Sequence, residues 1–113
     1  MGVTVTTAGR RDVGTEQEGC PIEKTLQVIG KKWMVLIIRD LLQGPRRFTD
    51  LLRSLGRISP KTLSERLKEM EEKGVASRRA YAEVPPRVEY SLTERGRSLA
   101  GILQAMADWG HQL

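Results

Sequence analysis

One cysteine in 113 residues, Cys20, rules out an internal disulfide framework, and a single histidine, His111, leaves few soft metal ligands. No zinc or other metal site is expected. Enzymatic signatures are equally thin: there is no carboxylate pair in an expected cleft, no Ser/His/Asp set and no phosphate-cradling glycine loop. The expectation is a non-enzyme without a cofactor. The opening "MGVTVTTAGRRDVGTEQEG" lacks the apolar centre of a secretion signal, and no apolar run is long enough to cross a bilayer. That reads as a soluble, intracellular protein with no membrane partner.

What the chain has is ordinary globular material with an uneven charge. It is 39% hydrophobic and 29% charged, with a net charge of +5, so a single small domain with an anionic partner is plausible. Between Arg46 and Arg97 stand thirteen Lys/Arg against eight Asp/Glu, a net of +5, and elsewhere the charges cancel. The whole excess lies in that segment.

Residues 1–19 mix Gly, Thr and charges without periodicity and read as a flexible arm, leaving residues 20–113 as the domain. "CPIEKTLQVIG" puts Pro21 at a first helical position and Ile22, Leu26 and Ile29 on one face. "KKWMVLIIRDLLQG" is apolar on nearly every side, as a central buried helix is. In "RRFTDLLRSLG", Thr49 is the expected cap, Asp50 sits in the first turn, and Leu51, Leu52 and Leu55 are the core positions. After Gly56 comes "SPKTLSERLKEMEEKG". Ser59 caps it, Pro60 suits its first turn, and Leu63, Leu67 and Met70 repeat at helical spacing.

Two short helices joined by a tight glycine-containing turn form the helix-turn-helix pattern. Beyond Gly74 the period changes to two, most clearly where Val88, Tyr90 and Leu92 alternate with Arg87, Glu89 and Ser91. Pro85-Pro86 belongs at the tip of this hairpin, which reads as a wing. Thr93 then caps an expected last helix whose Leu99, Ile102, Leu103, Met106 and Trp109 form a broad apolar face. The fold class is mainly α with a small β-hairpin wing: a winged helix-turn-helix.

Under that geometry the second helix enters the major groove of double-stranded DNA. Ser59, Lys61, Thr62, Ser64 and Glu65 stand at its start, where Lys donates to guanine, Ser and Thr serve several bases and Glu accepts from cytosine. Arg47, Arg66, Lys68, Arg78, Arg79 and Arg87 are the candidate phosphate contacts, with Arg87 also placed for the minor groove. Bland readings stand beside these: Lys61 with Glu65 as a solvated ion pair, and Arg78 and Arg79 as edge charges that discourage strand pairing. Trp33 and Trp109 read as core or dimer anchors, and Tyr81 and Tyr90 as packing residues of the hairpin.

The runs "CPIEKTLQVIGKKW", "RRFTDLL", "ISPKTLSERLKEMEEKG" and "VPPRVEYSLTERG", followed by Trp109, resemble the HxlR-type winged helix-turn-helix regulators, related to MarR-like proteins. The resemblance spans Cys20 to about Gly110. It implies a bacterial or archaeal transcriptional regulator that binds DNA as a homodimer, dimerising through its terminal helices. Ile22, Leu26 and Ile29 of the first helix, with Leu99, Ile102, Leu103, Met106 and Trp109 of the last, are the expected interface, and an inverted-repeat operator follows. The resemblance also implies a possible sensing role for Cys20 toward oxidants or electrophiles, with room for an unidentified small-molecule effector. A helix N-terminus and nearby Lys24 both favour the reactive thiolate. The alternative is a cysteine that only caps or packs. The competing function is a winged-helix module that binds protein, and the basic face argues against it.

Overall fold

The computed structural model describes residues 19–113; residues 1–18, nearly all of the expected arm, lie outside the described residues. The chain divides into two compact units, with the boundary after Lys32. The first contains α1 (Pro21–Ile29), which starts on its proline and closes with the Gly30 N–H donating to Leu26 O at 2.7 Å. Ile22 and Leu26 are 55% and 54% exposed, and Ile29 is buried.

The second unit runs through α2 (Met34–Leu41), β1 (Arg46–Arg47), α3 (Phe48–Leu55), α4 (Pro60–Glu72), β2 (Ala76–Tyr81), β3 (Arg87–Leu92), α5 (Glu94–Arg97) and α6 (Ala100–Gly110). Its core is assembled from one face per helix. Met34, Ile37, Ile38 and Leu41 of α2 meet Leu51 of α3 and Leu63, Leu67 and Met70 of α4, all at most 3% exposed. These are the residues that the 3.6-residue period places together. The expectation that α2 is buried nearly all round does not hold. Leu36 is 37% exposed, and with Val35 and Arg39 it lines an open groove against Leu103, Met106 and Ala107 of α6.

β2 and β3 form the expected antiparallel hairpin, with Ala76 opposite Leu92 and Tyr81 opposite Arg87. A third strand was not expected. Arg46 and Arg47 pair antiparallel with Tyr90 and Glu89, which makes the sheet order β1-β3-β2. Two residues are too few to display a two-residue period, and their partner lies far along the chain.

Two helix starts differ from the sequence reading. α3 begins at Phe48 with Arg47 as its N-cap rather than Thr49, because the Asp50 carboxylate reaches back to accept from the Arg47 N–H at 2.9 Å. The expected last helix is two helices. Thr93 does cap a helix, accepting from Gly96 N–H at 3.1 Å, but that helix is the short α5. The Ser98 hydroxyl donates to Arg95 O, and the Leu99 N–H donates to Gly96 O in a tight i→i+3 turn before α6 begins. Local hydroxyl bonding of this kind competes with the helical ladder.

Candidate nucleic-acid interface

The α3–turn–α4 unit is set by backbone chemistry first. Gly56 ends α3 at φ +72°, a region that residues with a Cβ avoid. Ile58, 5% exposed, then anchors the turn in the core. Ser59 Oγ accepts from the Thr62 N–H at 3.1 Å and lies 3.0 Å from Thr62 Oγ1. Ser59 and Thr62, both expected at the DNA surface, therefore spend their hydroxyls on the cap that fixes the first turn of α4.

Burial of Leu63, Leu67 and Met70 turns the opposite side of α4 outward. Lys61, Ser64, Glu65 and Lys68 are all exposed there. The bland ion pair is not formed: among the described residues neither Lys61 nor Glu65 makes a salt bridge. Arg66 is different. Its side chain is only 18% exposed and lies 3.6 Å from Glu69, on the flank of the helix rather than on its outer ridge.

Sequence reasoning missed the polar bridge behind this unit. Asp40, 6% exposed, accepts from Ser54 Oγ at 2.7 Å and from Arg39 Nε at 3.0 Å. A buried carboxylate needs such donors, and here they tie α2 to α3 beside the turn. The clue lay in Asp40 itself, a carboxylate next to Arg39 in a largely apolar helix.

On the wing, the two-residue period places Arg78 and Arg79 on opposite faces. Arg78 lies opposite Tyr90, and Arg79 opposite Glu89. Both arginines are exposed, so only a groove that grips the hairpin from both sides engages both. Arg47, opposite Glu89 from the other edge, is also exposed. Arg87 is held: its guanidinium is 2.9 Å from Glu83, 3.4 Å from Glu89 and 4.0 Å above the Tyr81 ring. Tyr90 is half-buried, as is Tyr81, whose hydroxyl donates to Glu89 at 3.3 Å.

The apolar positions of α6 divide. Leu99 and Leu103 are half-buried, whereas Ile102, Met106 and Trp109 form an outward stripe exposed by 39%, 48% and 64%. Cys20 is half-buried at the N-cap position of α1, where its side chain makes no cap hydrogen bond. Lys24 reaches back to the residue before it, where a Cβ built on Gly19 would fall 2.7 Å from Lys24 Cε. Among the described residues, no cluster of three metal-ligating side chains occurs and no helix is long and apolar enough to cross a membrane.

Comparison with known proteins bears on what this arrangement serves. The family described as HxlR-like helix-turn-helix matches residues 28–113. The HTH-type transcriptional regulator YdeP of Bacillus subtilis is 43% identical over 95 residues, covering 84% of this chain and 74% of YdeP. Among solved structures, the redox regulator HypR in its oxidised form superposes with a TM-score of 0.79 at 41% identity, covering 83% of this chain and 97% of HypR. The reduced form of the transcriptional regulator YodB from B. subtilis gives a TM-score of 0.75 at 40% identity, covering 84% and 94%.

Proposed function

The chain belongs to the HxlR-like helix-turn-helix family of DNA-binding transcriptional regulators, and we propose that it reads an inverted-repeat operator as a homodimer through the outer ridge of α4. The observation that carries this reading is the exposed row Lys61, Ser64, Glu65 and Lys68 on the helix in the recognition position. A capped, rigid first turn carrying donors and one acceptor suits the major groove, where base edges present the complementary pattern. In this reading Lys61, Ser64 and Glu65 face bases, while Arg47, Lys68, Arg78 and Arg79 meet phosphates. Ser59 and Thr62 act through the cap, and Arg66 through its acidic neighbour.

Dimerisation has its own support in the α6 stripe of Ile102, Met106 and Trp109, because a contiguous exposed apolar row marks an interaction surface. Ile22 and Leu26 of α1 are exposed as well and are available to a second copy. Two symmetry-related copies of α4 then meet half-sites about 34 Å apart. Redox response through Cys20 is part of the proposal, supported by its place at a helix start beside Lys24 and by likeness to the redox regulator HypR. Selecting genomic fragments that bind the protein, followed by footprinting, tests the reading. An enriched inverted repeat is expected, whose preferred bases change in Lys61→Ala or Glu65→Ala. Enrichment of no common sequence refutes it, and unchanged DNA affinity after thiol oxidation and in Cys20→Ser refutes the redox part.

A further inference from the structure

Arg87 bears the features of a phosphate contact in sequence, a cation beside the wing tip, yet the structure encloses it between two carboxylates and a ring, with its Nε buried and making no hydrogen bond. Glu83 stands at 2.9 Å, Glu89 at 3.4 Å, and the Tyr81 ring lies 4.0 Å beneath the guanidinium. The side chain is 25% exposed, against 23% for that of Glu89. Tyr81 and Arg87 are direct cross-strand partners, and Glu89, two residues on, shares their face of the ribbon. Arg79 lies at the exposed rim of the group, its guanidinium 4.9 Å from the same ring, and stays open to a phosphate. The two carboxylates thus compensate Arg87 within the group. The group spans the tip: Glu83 lies in the loop after β2, and Arg87 opens β3.

We propose that Arg87 is a positioning residue of the wing, clamped by Glu83, Glu89 and Tyr81 so that the hairpin meets DNA as a preformed, charge-compensated ribbon. The inference rests on the DNA-reading function proposed above and assigns this arginine a different role within it. Beyond the two residues that β1 pairs with β3, the tip of the ribbon has only two strands, and an isolated hairpin is marginal in water. Stacking of the planar guanidinium on tyrosine, with ion pairs to two carboxylates, uses the properties that separate arginine from lysine. To reach a phosphate, Arg87 would have to exchange two carboxylates and a ring for one anion, whereas Arg78 on the opposite face is exposed and forms no salt bridge among the described residues.

The test measures the affinity of the full chain for a fluorescent mixed-sequence 30-base-pair duplex across a salt series. Hydrogen exchange of the β2 and β3 amides is followed in the protein without DNA. Arg87→Ala is expected to lower affinity roughly tenfold by loosening the wing, leave the salt slope unchanged, and accelerate exchange in β2 and β3. Tyr81→Leu, which changes no charge, should reproduce all three effects. Arg87→Lys should not rescue them. A salt slope that falls by about one unit per protomer in Arg87→Ala, with restoration by lysine and unaltered exchange, identifies a phosphate contact and overturns the proposal. Normal affinity and exchange in Tyr81→Leu overturns it as well. If the unmodified protein shows no salt-dependent duplex binding, the DNA-reading function fails, while the exchange data still judge the clamp.

Discussion

Raising salt from 50 to 200 mM should weaken duplex binding by the proposed dimer roughly 10^5-fold, a figure that follows from which cations the fold leaves exposed. The basic candidates in the sequence are Arg47, Lys61, Arg66, Lys68, Arg78, Arg79 and Arg87. Arg66 is turned to Glu69 and Arg87 to Glu83 and Glu89, so two leave the count and five per protomer remain. With a slope of about −0.9 for each neutralised phosphate, ten contacts in a dimer give about −9. A duplex that meets one face of the wing loses Arg78 or Arg79 and brings the slope to about −7. If all seven cations engaged, the slope would be about −13 and the loss over the same range would lie between about 10^7- and 10^8-fold. Fluorescence anisotropy at six or more salt concentrations resolves these cases. A slope near −13 refutes the sequestration of Arg66 and Arg87, and a flat response refutes phosphate binding altogether.

Three further outcomes follow from the packing. Ser54→Ala removes a donor from the buried Asp40 carboxylate and should cost about 1–2 kcal/mol, or roughly 4–16 °C in melting temperature. In Asp40→Ala the Ser54 change should add nothing, so additive losses in the double variant would show that the bridge does not couple α2 to α3. Gly96→Ala would drive a Cβ into Val75 O and to 3.0 Å from Leu92 Cδ2, at roughly 3 kcal/mol by thermal melting. Gly101→Ala meets open space in α6 and should stabilise by about 0.5–1 kcal/mol, so equal losses at both glycines would contradict the packing described. Trp109→Asp places a charge on the exposed α6 stripe and should yield a folded monomer by light scattering. A dimer that survives this change places the interface elsewhere. Trp109 suits the test better than half-buried Leu103, whose replacement would disturb the groove against α2.

Much of this protein was legible in sequence because its signals are local. Ser59 and Pro60 start α4, Leu63, Leu67 and Met70 orient it, and Gly56 ends the helix before it; each acts within a turn or two of chain. The change to a two-residue period after Gly74 and the Pro85-Pro86 tip located the hairpin for the same reason. What periodicity could not reveal were pairings between distant residues. β1 exists because Tyr90 and Glu89 offer it a ladder, and Asp40 acquires a role only when Ser54 of another helix reaches it. The fate of the basic residues turned instead on side-chain geometry, since the carboxylates that hold Arg66 and Arg87 lie within four residues of them. Sequence establishes that thirteen cations lie between Arg46 and Arg97, but local order offers several carboxylates to each and does not choose among them. Cross-strand register put Tyr81 beside Arg87, Glu89 shares its strand face two residues on, and the angular position of Arg66 on α4 turned it toward Glu69. Lys61 and Lys68 stand on the outer ridge because Leu63, Leu67 and Met70 are buried on the other side. A residue's charge is written in its type, whereas its availability depends on neighbours that only the folded chain supplies.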